Sequence, residues 1–312
     1  MTQAPPVLNL QQDLRDKFRG VLLGLATGDA LGAPLEFQPA RDPNNYVTEM
    51  IGGGWLKLQP GEWTDDTQMT LCIVDSLLAR RVFDPDDIAQ RFVAWLHSSP
   101  PDVGNHTHHV LSSIARGVQW EEASVKAQVT SPSNAPNGSL MRCAPLALFF
   151  YRHPDYVATL SPVLSRITHA HTDCEQSCVF LNVAIALLLM GADKHTAITS
   201  AERACIHASD GLRARIRRAQ ESKNETSPGG YVLDTLEVAV WAFLHTSSLE
   251  LALLEVINRG DDADTVGAVT GALAGAYYGM ASIPTRWLNL LQDREELIDK
   301  SDRLLEIAEA AG

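Results

Sequence analysis

The chain has 312 residues, 45% of them apolar and 20% charged, with a net charge of −13. That is enough apolar chain for a sizeable core and too much for a disordered protein. The acidic balance argues against nucleic acid as a partner, because gripping phosphates along a strand demands a basic face.

The first residues, MTQAPPVLNLQQ, carry no basic segment followed by an apolar stretch, so 1–12 is expected to be a flexible leader and not a signal peptide. Apolar residues at helical spacing predict a helix over 11–31, and a loop rich in Pro, Asn and Gly follows over 38–60. Further helices are predicted over 67–80, 85–97, 107–117, 140–151, 155–168, 175–190 and 194–208. The pattern continues over 212–223, 232–245, 249–258, 264–280 and 294–311. Strand-like alternation is nearly absent and no composition break divides the chain. One all-α domain over 1–312 is the economical reading.

The run from Val179 to Met190 is shorter than the roughly 20 residues that span a bilayer, so no membrane association is expected. Five scattered cysteines, an odd number, point to a reducing, cytoplasmic setting. Cys174 and Cys178 lie one helical turn apart and read as packing residues. The segments GVLLGLATGDALGAPLE and GAVTGALAGAYYG place Gly or Ala every three to four residues. A helical Gly costs roughly 1 kcal/mol relative to Ala, so such helices belong where neighbours cross closely.

Two acidic segments go beyond packing. One is Thr64-Asp65-Asp66-Thr67 and the other is Asp262-Ala263-Asp264-Thr265, each just before a mostly apolar helix. Either could be a helix cap, because Asp and Thr suit that position. Brought together, clustered carboxylates repel one another unless a cation neutralises them, and their hard oxygens suit Mg²⁺ or Mn²⁺.

The segments GLATGDALGAPLEF, GGGWLKLQPGEWTDDTQMTL, PDVGNHT, NGSLMRCAPLAL, ITHAHTD and GDDADTVGAVTGALAGAYYG resemble, in order, the motif set of the ADP-ribosylglycohydrolase family. The likeness is greatest to the bacterial dinitrogenase reductase-activating glycohydrolases, which remove ADP-ribose from arginine. It runs from about Phe18 to Trp287. The resemblance implies a compact orthogonal multi-helix bundle around two Mg²⁺ or Mn²⁺ ions. It assigns metal ligation to Thr64, Asp65, Asp66, Asp262, Asp264 and Thr265, and puts Glu36 near the metals and the scissile ribose.

The resemblance also implies that Asp102, with Gly104 beside it, faces the substrate and serves acid–base chemistry, alongside Asp65 and Glu36. Asn137, Gly138, Ser139, Met141 and Arg142 match a phosphate-contacting loop. Gly138 would let the backbone approach a diphosphate and the following helix would point its N–H groups at the anion. Arg142, inside that helix, has a structural reading too. His169 matches a position near the distal ribose or diphosphate, and Tyr231 one that stacks on adenine. Each also has an ordinary packing reading.

Two departures stand out. Asp261 sits where the family often has glycine, and NHTHHV follows the DVG turn where arginine-directed relatives carry arginines. His106, His108 and His109 read as a solvated helix start. The expected activity is hydrolysis of the N-glycosidic bond between ADP-ribose and a protein side chain, arginine first, by a monomer. The alternatives are an ADP-ribose-binding regulator or immunity protein, and a metal-dependent phosphohydrolase.

Overall fold

The computed structural model describes residues 7–310, with side chains from residue 11. Five helices come first: α1 (Val7–Gly32), α2 (Asp65–Arg80), α3 (Pro85–His97), α4 (Asn105–Ala115) and α5 (Trp120–Thr130). Five more follow: α6 (Ala144–Phe149), α7 (Pro154–Arg166), α8 (Thr172–Leu189), α9 (Lys194–Ala204) and α10 (Asp210–Arg218). The last are α11 (Val232–His245), α12 (Leu249–Ile257), α13 (Ala263–Tyr278), α14 (Thr285–Leu288) and α15 (Arg294–Ala310). Among the described residues the only β-pairing is two isolated bridges, Gly53 with Leu58 and Pro136 with Tyr231. The all-α fold class is as expected.

The leader expected over 1–12 lies outside the described residues as far as residue 6. From Val7 onward the chain is already helical, because the four-residue spacing of Leu10, Leu14 and Phe18 extends the helical pattern backwards. The helix expected over 140–151 starts later, at Ala144. Pro145 lies in its first turn, where a missing N–H is harmless, and a 3₁₀ turn over Asn137–Ser139 occupies the preceding stretch. Helix α5 has no counterpart in the prediction. Its buried face is only Trp120, Ala123, Ser124 and Ala127, while Val125 and Val129 point to solvent, so its apolar residues never form one stripe.

Helices α1 and α13 run antiparallel through the centre. A Cβ built on Gly20 would lie 2.4 Å from the carbonyl oxygen of Gly275, on Gly24 2.3 Å from that of Gly271, and on Gly28 2.0 Å from that of Gly267. On Gly32 it would lie 2.2 Å from the Ala263 oxygen. Contacts repeat every four residues along both helices, so backbone meets backbone along a single ridge. This explains the small residues. It also sets the end of α1, with Asp29 on its last turn and Glu36 just beyond, against the start of α13 with Asp262 and Asp264.

Helix α8 is long and apolar enough by composition to cross a membrane, and 89% of that stretch is buried inside the protein. Cys174 and Cys178 are free thiols buried on it. They pack in the core, as their spacing predicted.

Candidate active site

The acidic segments at the starts of α2 and α13, some two hundred residues apart in sequence, open into the same cleft of about 550 Å³. Asp65, Asp66, Asp262, Asp264 and Thr265 line it together with Glu36, Asp102 and Asp261. Oxygens of Glu36, Asp262 and Asp264 lie within 4.8 Å of one another. No lysine or arginine among the described residues lines this cleft.

The start of α2 is not capped by its own Thr64. Asp29, fully buried on α1, does that work. Its Oδ1 accepts from the Thr64 N–H at 2.9 Å and hydroxyl at 2.8 Å, and its Oδ2 from the Thr67 N–H at 3.1 Å and hydroxyl at 2.6 Å. Thr64 therefore sits just beneath the cleft lining, 1% exposed. Asp65 and Asp66 are left free to face outward. On the other side, Asn137 donates to Asp262 Oδ2 at 2.8 Å and to the Thr235 hydroxyl at 2.9 Å.

Burial and mutual repulsion raise these carboxyls. Asp65, Asp66 and Asp264 are held well above the ordinary range, first by burial and then by Asp102, Asp29 and Asp262 respectively. Glu36 is pushed up to about 7 by burial, against an opposing hydrogen bond from the Trp55 indole. Asp102, half-buried, is raised by burial and by Asp262. One oxygen of Asp66 is buried with no hydrogen-bond partner. A divalent cation would satisfy that oxygen and neutralise the cluster, and the all-oxygen donor set fits a hard ion.

The cleft is also lined by the neutral groups Asn134, Asn137, Gly138, Met141, His106 and His169. Gly104 forms part of the wall beside Asp102. A Cβ on Gly138 would come within 3.1 Å of the His169 ring and 3.2 Å of the Thr107 hydroxyl, so glycine keeps the wall open there. Three expected ligand-contacting side chains lie off the lining. Ser139 accepts a hydrogen bond from Ser165 at 2.8 Å in the core. Arg142 is buried, with its guanidinium 4.5 Å over the Phe92 ring and bonded to the Thr168 hydroxyl at 2.5 Å. Because the loop makes a 3₁₀ turn before α6, Arg142 turns inward and not toward the cleft. Tyr231 reaches Asp173 through its hydroxyl at 3.3 Å, while its neighbour Gly230 lines the cleft.

The chain matches the ADP-ribosylglycohydrolase family over residues 10–312. It belongs to that family. It is 35% identical to the ADP-ribosylarginine hydrolase Tri1 of Serratia proteamaculans, over 97% of this chain and 83% of that protein. It is 34% identical to the ADP-ribosyl-[dinitrogen reductase] glycohydrolase of Rhodospirillum rubrum, over 95% and 97%. A solved ADP-ribosylglycohydrolase-related protein complex superposes with a TM-score of 0.82 at 37% identity, covering 95% of this chain and 99% of that one.

Asp261 takes a left-handed backbone, with φ of +55°. Aspartate is among the few side chains that enter this left-handed region readily. Its carbonyl accepts from the Phe37 N–H at 2.7 Å and its N–H donates to the Gln38 carbonyl at 2.9 Å. These two bonds tie the Glu36 segment to the Asp262 segment. His106 is not part of a solvated helix start. Its ring packs 4.6 Å from that of His169 and lines the cleft, while His108 and His109 are exposed.

Sequence reasoning missed Asp29 and Glu237. Glu237, buried on α11, binds Arg215, Arg218, Asn224 and Thr226 and so anchors the loop leading to Gly230. An acidic residue inside an otherwise apolar helical run was the available signal for both. Asp29→Asn keeps the shape but sets an NH₂ group against donors. Thermal unfolding should show a loss of about 1–3 kcal/mol, and an unchanged midpoint would contradict the capping role.

Proposed function

We propose that this protein is a metal-dependent hydrolase that removes ADP-ribose from arginine side chains of proteins, the activity named for its Serratia and Rhodospirillum relatives. The observation that carries the reading is the meeting of both acidic segments in one cleft that neutral polar groups also line. Residues 1–312 are taken as a single ADP-ribosylglycohydrolase domain, acting as a cytoplasmic monomer. One continuous core is in keeping with a single domain, and four buried free thiols with a reducing setting.

Two Mg²⁺ or Mn²⁺ ions would be held by Asp65, Asp66, Asp262, Asp264 and Thr265, with Thr64 beneath and Glu36 within reach. When bound, such ions polarise sugar hydroxyls and lower the pKa of water. The chain's own residues do the rest. The carboxylates facing the sugar offset the positive charge that develops at C1″ as the glycosidic bond breaks. Asp102 lines the same cleft, close enough to Glu36 and Asp65 to raise their carboxyls and to have its own raised by Asp262. It hands a proton to the departing guanidine. Asn137 keeps Asp262 in place. Gly138, Met141, His169 and Gly104 form the walls along the diphosphate and distal ribose, with Ser139 and Arg142 supporting them from behind.

The test is release of intact ADP-ribose from an arginine-ADP-ribosylated protein. Turnover should disappear on chelation and return with Mn²⁺ or Mg²⁺. Binding without turnover would make the chain a regulator or immunity protein. Phosphate release in place of ADP-ribose would make it a phosphohydrolase. Full activity after chelation would overturn the metal reading.

A further inference from the structure

His169 lines the cleft though only 1% exposed, and its Nε2, buried close against Gly138, has no hydrogen-bond partner among the described residues. A buried unpaired ring nitrogen is costly unless a ligand completes it. The protons on its other side follow from counting donors. Arg142 can only donate, and it donates to the Thr168 hydroxyl oxygen at 2.5 Å. That hydroxyl lies 2.6 Å from His169 Nδ1. The oxygen has a second lone pair, but its own hydrogen has no acceptor among the described residues other than Nδ1, so that hydrogen is directed to Nδ1 and the ring nitrogen accepts.

We infer that Arg142, acting through Thr168, fixes His169 as the Nε2–H tautomer, so that a hydrogen-bond donor points into the cleft and recognises an acceptor oxygen of ADP-ribose. The inference rests on the functional reading above for the identity of the ligand, though not for the tautomer. Arg142 and Thr168 are positioning residues, because neither touches the cleft. His106 fits the same logic. Its Nε2 lies 2.9 Å from the Thr168 carbonyl, which can only accept, so its Nδ1 is left to receive the Asn134 amide at 3.4 Å. Both faces of Thr168 thus set an imidazole, one through its hydroxyl and one through its carbonyl. Burial lowers the pKa of both rings and keeps them neutral, His169 more so.

The experiment uses the full chain labelled with ¹⁵N-histidine, read by nitrogen–proton correlation spectra, together with calorimetric titration of ADP-ribose in Mn²⁺. Wild type should show His169 protonated at Nε2. Thr168→Val removes the hydroxyl at nearly constant volume. It should mix the two tautomers, weaken ADP-ribose binding about tenfold and raise KM while kcat stays within twofold. Thr168→Ser should restore the spectrum and the affinity. An unchanged tautomer in Thr168→Val, or failure of Thr168→Ser to rescue, overturns the relay. If wild type shows the Nε2–H signal but neither binds nor releases ADP-ribose, the functional reading fails and the ligand assignment fails with it.

Discussion

Asp264→Asn should lower turnover by at least about 10³-fold, or ~4 kcal/mol of barrier, while the helical fold is retained. The same variant should gain stability in the absence of metal. Asp264 is 3% exposed, and its carboxyl is raised by burial and then by Asp262, Asp66, Glu36 and Asp29. Replacing a charge with a neutral amide of the same shape relieves that repulsion. In wild type a bound cation stabilises the folded form only, by about 2.7 kcal/mol when present at a hundred times its Kd. The expected signature is therefore crossed: Mn²⁺ raises the melting temperature of wild type strongly and that of Asp264→Asn little. The pH dependence follows with the sign fixed by the raised carboxyls. Each holds its proton more tightly folded than unfolded, so the metal-free folded chain binds more protons from about pH 4 upward. Metal-free stability should accordingly fall as pH rises through about 6 for Asp29 and about 7 for Glu36. The fall should be shallower in Asp264→Asn. Turnover within tenfold of wild type, or an undiminished Mn²⁺ shift, would show that Asp264 is not part of a cation site.

What the sequence disclosed was whatever depends on local pattern. Helices α3 and α11 matched their predicted bounds because proline at the start of one, and a continuous apolar stripe in the other, leave few alternatives. The acidic segments were legible because two Asp-rich starts ahead of apolar helices are chemically conspicuous. The direction in which side chains point was not legible. Arg142 and Tyr231 sit in segments that border the cleft, and only the 3₁₀ turn over Asn137–Ser139 and the bridge from Pro136 to Tyr231 decide that both turn away. Asp29 was hidden for a related reason. It reads as one polar residue in an apolar helix until the loop over 38–60 returns Thr64 and Thr67 to it. His106 likewise gains meaning only from Thr168, 62 positions away.

Gly28→Ala should be among the most destabilising single methyl groups this chain can receive. The added carbon would stand 2.0 Å from the Gly267 carbonyl oxygen, 2.3 Å from its carbon and 2.9 Å from the Ala268 nitrogen. All three are backbone atoms, so no side chain can swing aside and the helices themselves must separate. Overpacking ordinarily costs about 1–3 kcal/mol, and a rigid backbone contact belongs at or beyond the upper end. Against a total stability on the order of 5–15 kcal/mol that is a large share. Gly267→Ala meets the Gly28 oxygen at 2.3 Å and should behave alike. Once α1 and α13 have parted to admit one methyl, the second finds room. The double variant should therefore fall short of the sum of the singles by about 1 kcal/mol or more in a denaturation cycle. Helix separation also carries Asp29 and Glu36 away from Asp262 and Asp264. Any folded fraction of Gly28→Ala should then bind Mn²⁺ more weakly than wild type, although the substitution touches no ligand. Additive losses with unaltered Mn²⁺ affinity would mean that the glycine ridge holds the core together without setting the geometry of the cleft.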